Sequence, residues 1–226
     1  MKATDLTPED IADRLQTLGF PLFTADLDPT LVSIRAHERE DDDDWADVHA
    51  LLWHQGKTLH GIIGQGTTGP GRRTLLTPGK KAGAGIVLPG HHKSCWSWGG
   101  PDDHGVTAHK YPCGRQVGPI AYVRDGDRDG VLDLGTTGWA RNAEEFETLF
   151  QAIMLGKKVY TDIVFCDMHR ASATRVVEEV GPYGAMCQVW QSPSDWAEVH
   201  AQMLRAVPLH GHRHSFTLLD EWGMPR

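Results

Sequence analysis

Apolar residues come in short runs along most of this chain, and the runs are spaced for strands. Leu31-Val-Ser-Ile-Arg35 alternates inside a strand-like region over residues 22–36. Between residues 56 and 119, Ile62-Ile63, Leu75-Leu76 and Ile86-Val87-Leu88 read as short β runs broken by Gly and Pro turns, a texture of sheets and not of a helical bundle. Val159 to Met168 is continuous, β-branched and apolar, which predicts a strand with His169 at its end. Helical spacing appears three times. Thr7-Pro8-Glu9-Asp10 is a capped start, followed by an Ile11, Leu15, Leu18 stripe and a stop at Gly19. Asn142 opens a second helix with Phe146, Leu149, Phe150 and Ile153 inward and Gly156 behind it. Pro193 opens a third, with Trp196, Val199, Met203 and Leu204 as its stripe. A mainly β fold with two or three peripheral helices follows.

The pattern places one pair of reactive residues in a suggestive relation. His169 ends the apolar strand, and Cys187 follows the turn residues Gly181, Pro182 and Gly184. Such a turn lifts a thiol toward a base on a neighbouring strand and leaves backbone N–H groups nearby. A free thiol titrates near pH ~8.5, so a nucleophile here calls for an electropositive setting. The bland alternative is a buried Cys and an incidental His. Cys166, inside the strand, is expected to be core packing.

These residues resemble the catalytic motif of the L,D-transpeptidase (YkuD-like) family: a His, a gap of about fourteen to seventeen residues, then Ser/Thr-x-Gly-Cys. Residues 170–183 form the gap, and Gly184, Ala185, Met186 and Cys187 take the four following positions. The chain looks most like a small, often phage-encoded branch. The similar segments are Gly118 to Asp133, Met168-His-Arg-Ala171, Cys187-Gln-Val-Trp190 and Phe216-Thr-Leu-Leu-Asp220, with Thr67-Thr-Gly-Pro-Gly71 and Leu88-Pro-Gly90 upstream. The resemblance spans about Leu31 to Asp220. It implies a β-sandwich-like catalytic domain over residues 21–226, an accessory helix over 1–20, and a strand at Asp47–Gln55. It also implies a cysteine-dependent hydrolase of peptidoglycan stem peptides, an endolysin or tail-associated lysin. Cys187 would be the nucleophile and His169 the base. Arg170 and His109 would meet substrate, and Gly184, Ala185 and Met186 would shape the oxyanion site. Alternatives are a transpeptidase, or an inactive virion or wall-binding module of the same fold. Here Gly184 stands for the family's Ser/Thr and Met186 for its Gly. Met reaches positive φ at a cost, so the turn is expected either at negative φ or distorted.

Composition narrows the partners. With 22 basic and 30 acidic residues the formal net charge is −8, which argues against nucleic acid. No run is long and apolar enough to enter a membrane, and the N-terminus has no signal-type apolar core. The expected route is synthesis in the cytoplasm, then holin-type release or packaging with virion proteins to reach peptidoglycan. No cofactor is required by this chemistry. Asp125, Asp127, Asp129 and Asp133 carry the front spacing of a calcium loop, although Thr136 stands where a bidentate Glu belongs. A plain Asp/Gly turn is the competing reading. His91, His92, Cys95, His104, His109 and Cys113 make a weak zinc set, lacking a Cys-x-x-Cys pair. Trp96, Trp98 and Trp139 read as packing plugs or a sugar platform, Glu38 to Asp44 as a solvated acidic loop, and Glu178-Glu179 as a solvated pair or a cleft rim.

Overall fold

A computed structural model describes residues 2–36, 43–99, 111–125, 128 and 159–220. The helix expected from Asn142, together with Trp139, His104, His109, Asp127, Asp129 and Asp133, lies outside the described residues.

The fold is mainly β. Eleven strands run β1 (Thr30–Arg35), β2 (Asp47–Gln55), β3 (Thr58–Thr67), β4 (Ala84–Val87), β5 (Gly90–Ser97), β6 (Arg115–Gln116), β7 (Ile120–Asp125), β8 (Tyr160–Asp162), β9 (Met168–Arg170), β10 (Gln188–Trp190) and β11 (Arg213–Asp220) among the described residues. The helices are α1 (Pro8–Thr17), α2 (Arg72–Leu76) and α3 (Pro193–His210). One sheet has eight strands in the order β6-β5-β11-β1-β2-β3-β10-β9; a second has three, β4-β7-β8. The strand-like region expected over residues 22–36 is a strand only at Thr30–Arg35, and the strand expected at Asp47–Gln55 is present.

The large sheet is covered on both faces around β1, all of whose residues are buried. On one face, Ile11 and Leu15 of α1 pack with Val32, Ile34, Val48 and Leu52. Full burial of such a side chain contributes about 1.5–3 kcal/mol. The start of α1 is a capping box: Thr7 Oγ1 accepts from Asp10 N and Asp10 Oδ2 accepts from Thr7 N. On the other face Leu31 and Leu51 meet Trp96, Trp98, Trp190 and the α3 stripe Trp196, Val199 and Met203. Trp96 and Trp98 are fully buried plugs.

Three expectations need correction. Leu75-Leu76 belongs to α2, not to a strand, because the chain turns there to bury Leu75 against Ala84, Ile86 and Val123. Leu204 of the expected α3 stripe is 43% exposed, and Gln202 and Ala206 are buried in its place. The run Val159–Met168 is not one strand. Tyr160–Asp162 joins the small sheet, Met168–Arg170 joins the large one, and between them Phe165 takes φ +62° and exposes its ring. The change of sheet breaks a run whose propensity alone would have continued.

Candidate active site

The edge pair β10–β9 positions the site. The strands are parallel, with Gln188 opposite Met168, Val189 opposite His169 and Trp190 opposite Arg170. Parallel neighbours require a crossover of a dozen or more residues, and residues 171–187 supply it as an irregular loop. His169 therefore lies at the centre of a three-residue strand and not at the end of a long one. Side chains alternate along a strand. Cys187 and Val189 pack with Ala171 in one cluster, while Met168 and Trp190 belong to another. His169, opposite Val189, thus shares the face that carries Cys187.

The crossover is held by contacts the sequence did not announce. Asp43 Oδ1 accepts from Gly181 N at 3.1 Å and from Arg72 N at 2.8 Å, and Asp43 O accepts from Val180 N. This acid is a clamp and not part of a solvated run. Gly71 N donates to Gly184 O at 3.1 Å. A Cβ on Gly184 would stand 2.6 Å from Gly69 O and 2.9 Å from Val180 Cγ1. Close approach of the β3–α2 loop therefore requires glycine where the resembled motif has Ser or Thr.

Met186, just before the thiol, takes φ +100°. The turn keeps the left-handed backbone that a glycine would adopt freely, with a side chain that resists it by about 1–2 kcal/mol. Of the two outcomes expected from sequence, negative φ is excluded. The side chain is 5% exposed, and its sulfur fills the space a Cβ on Gly85 of β4 would need. Packing against the small sheet holds the strained turn in place. Met186 O accepts from Cys166 Sγ at 3.1 Å and from Gln188 Nε2 at 3.4 Å. Cys166 is core, as expected.

His169 is oriented by its surroundings. Nδ1 lies 2.9 Å from Arg170 O and 3.3 Å from the Tyr111 hydroxyl, which itself donates to Arg170 O at 2.8 Å. A carbonyl only accepts, so Nδ1 carries the hydrogen and Nε2 is left as the basic nitrogen. The Arg170 guanidinium lies 4.1 Å over the Tyr111 ring. That stacking ties Arg170 to the positioning of Tyr111, beside the substrate role expected of it. Tyr111 itself was missed. Only its nearness in sequence to His109 pointed to it. Burial pushes its hydroxyl up to about 12, with Arg170 opposing and the Cys113 and Cys187 sulfurs adding.

The thiol does not sit in the electropositive setting expected of it. Cys187 is 7% exposed, its Sγ donates to Phe165 O at 3.6 Å, and burial pushes it up to about 12. The Asp167 carboxylate adds to the rise, and a backbone hydrogen bond from Asp167 opposes it. Asp167 is itself raised to about 6 by burial, despite a hydrogen bond from Gln116 N at 2.8 Å. The resting group is a covered, neutral thiol.

Neither metal reading gains a site. Asp125 is buried on β7, opposite Ala84, and the remaining calcium-loop acids lie outside the described residues. Of the zinc set, His91 meets Thr217 Oγ1 at 2.9 Å, His92 Nε2 meets Leu88 O at 3.1 Å, and Cys95 and Cys113 pack in the core. Among the described residues no three His, Cys, Asp or Glu converge to hold an ion, and the four cysteines are unbridged. No described helix is long and apolar enough to cross a membrane.

Buried histidines predict a pH response. Burial lowers His49 and His214 to about 4. Below their unfolded value of about 6.5 the unfolded chain binds more protons at both, so their contribution is lost as pH falls from 6.5 to 4. Asp167, raised to about 6, acts oppositely, binding its proton sooner when folded. His91 and His92, lowered by burial too, act with these histidines, and Asp28, raised by burial, acts with Asp167; the lowered histidines outnumber the raised carboxyls, so stability falls on balance between pH 6 and 4. Melting temperatures measured across that range should fall steadily toward acid; a rise would contradict the assignment.

A scan against family models, a search of curated proteins and a search of solved structures each found no match to this chain.

Proposed function

We propose that the chain is a cysteine-dependent acyl-transfer enzyme with a sandwich-like L,D-transpeptidase arrangement, acting as a hydrolase on peptidoglycan stem peptides. The supporting observation is Met186 at φ +100°, immediately before Cys187 in the turn that leads into the strand beside His169. A bulky residue held in glycine's conformation at the one position where the resembled motif demands it is strain kept for a reason.

The steps balance as an acylation and a hydrolysis. The Cys187 sulfur attacks a peptide carbonyl carbon as its proton passes to His169 Nε2. Backbone N–H groups between Ala185 and Cys187 hold the oxyanion. The C–N bond breaks, His169 returns the proton to the leaving amine, and a thioester remains. Water, deprotonated by His169, attacks the thioester carbon, giving a carboxylic acid and the free thiol. An amine in place of water would make the same enzyme a transpeptidase. Because Phe165 O lies against the sulfur, the stretch from Ile163 to Cys166 has to withdraw when substrate enters. Its exposed, strained Phe165 is the weak point at which it can do so. Export past a membrane, by holin-type release or within a virion, belongs to this reading and rests on the resemblance alone.

Intact-mass measurement after incubation with stem peptides tests the reading. A thioester adduct should appear on the peptide containing Cys187 after acid quenching, together with released fragments. No adduct and no released fragment would overturn it.

A further inference from the structure

The small sheet, the turn from Pro78 to Gly83 and the stretch Ile163 to Phe165 enclose a cleft of about 710 Å³ whose floor reaches Ala185 and Met186. The cleft therefore adjoins the turn that presents the thiol. Its walls differ sharply. Ile163 and Phe165 form an apolar side, 50% and 64% exposed. The other side carries Lys80, Lys81 and Arg124, with Arg128 Nη2 donating to Lys81 O at 2.7 Å just beyond. Asp162 is the acid among the described lining residues, and Tyr122 hydrogen-bonds to it. In a chain of net charge −8, a cationic cleft next to a candidate nucleophile is not a product of average composition.

Arg124 is the built part of this cleft. Tyr122 and Tyr160 stack with ring centroids 5.2 Å apart, and the Arg124 guanidinium lies 5.1 Å and 5.8 Å from the two rings. Nη1 donates to Gly83 O at 2.8 Å and Nη2 to the Tyr122 hydroxyl at 3.4 Å. A guanidinium carries five N–H donors, so these two bonds fix the plane while leaving donors to spare. Among the described residues no carboxylate forms an ion pair with Lys80, Lys81 or Arg124. A planar, pre-oriented fork is suited to bidentate capture of a carboxylate, and two lysines beside it raise the local potential.

We propose that this cleft binds a carboxylate-bearing peptide, with the carboxylate on Arg124 and aliphatic side chains along Ile163 and Phe165, so that the peptide's next carbonyl is led to Cys187. The proposal deepens the thiol-centred reading and rests on it for the direction in which the peptide runs. Recognition of the anion is separable from the chemistry.

The test is calorimetric titration of the full chain carrying Cys187→Ala, which binds without turnover. One probe is the stem tetrapeptide L-Ala-γ-D-Glu-L-Lys-D-Ala with free carboxylates; the other is the same peptide with both carboxyls amidated. The acid should bind at least about tenfold more tightly, although the overall charge of the chain opposes it. Arg124→Gln should remove most of that preference while changing affinity for the amide little. Lys80→Gln with Lys81→Gln, both exposed and free of packing roles, should weaken the acid several-fold and flatten its salt dependence. Equal affinity for acid and amide, binding of neither, or an unchanged preference in Arg124→Gln with the lysine pair also silent would overturn the proposal. A preference for the acid in a chain that forms no Cys187 adduct would leave the cleft assigned and the catalytic reading refuted. An adduct without the preference would do the reverse.

Discussion

Cys187→Ala is expected to abolish release of fragments from purified sacculi while leaving the fold intact. In the proposed reaction the Cys187 sulfur forms the covalent bond, and no neighbour can substitute for it: Cys166 faces the other cluster, with its Sγ on Met186 O. Loss of one buried sulfur removes about 1 kcal/mol of packing, which for a chain of this size lowers the melting temperature by ~2–4 °C. Released muropeptides followed by mass, beside a thermal melt, separate the two effects. His169→Ala should slow cleavage by ~10²–10⁴, and should also slow alkylation of Cys187 near neutral pH. The second readout matters because the thiol starts near 12, buried and neutral, and depends on a base to give up its proton. Full activity in Cys187→Ala would sink the enzyme reading and leave a wall-binding or virion module as the better account.

Much of the large sheet and both described long helices were legible because their signals are local. Thr7 and Pro8 mark the start of α1, and Leu31 to Arg35 alternates as a strand must. His169 and Cys187 were singled out together by the resembled motif; that the strand after the thiol lies parallel to the strand of His169 emerges only in the fold. What escaped depends on contacts distant in sequence. Phe165 reads as strand, yet the chain changes sheets there. Asp43 reads as one acid in a run, yet it anchors Gly181 from 138 positions away. Tyr111 reads as an isolated aromatic and meets His169 only in the fold. The conformation of Met186 could not be chosen from sequence, because Gly85, the residue that makes room for its side chain, is on another strand. Burial of Cys187 stood in the sequence only as the competing reading, for the same reason: the Phe165 carbonyl over its sulfur follows from the break in the strand, not from the motif.

Gly66→Ala should destabilise the chain by about 3–5 kcal/mol, through overpacking combined with loss of buried hydrogen bonds. Gly66 pairs with Trp190 of β10 and Asp47 of β2, on the strand that ties the β10–β9 edge to the rest of the sheet. A Cβ there would overlap the His49 ring and come within 2.5 Å of Val189 O. Neither can move cheaply. His49 is fully buried, with Nε2 at 3.2 Å from both Thr67 O and Val189 O and Nδ1 at 2.5 Å from Ser33 Oγ. Nε2 faces carbonyls and must donate, so Nδ1 accepts from the serine; displacing the ring leaves donors and acceptors of β1, β3 and β10 unmatched at once. Val189 stands two residues after Cys187 and opposite His169. The substitution should therefore lower the melting temperature by roughly 6–20 °C and impair cleavage even in the fraction that remains folded. Gly79→Ala is the control, since nothing lies within 4 Å of its added carbon and its backbone is not left-handed. Equal melting temperatures for the two variants would show that His49 does not lock β10 to the sheet.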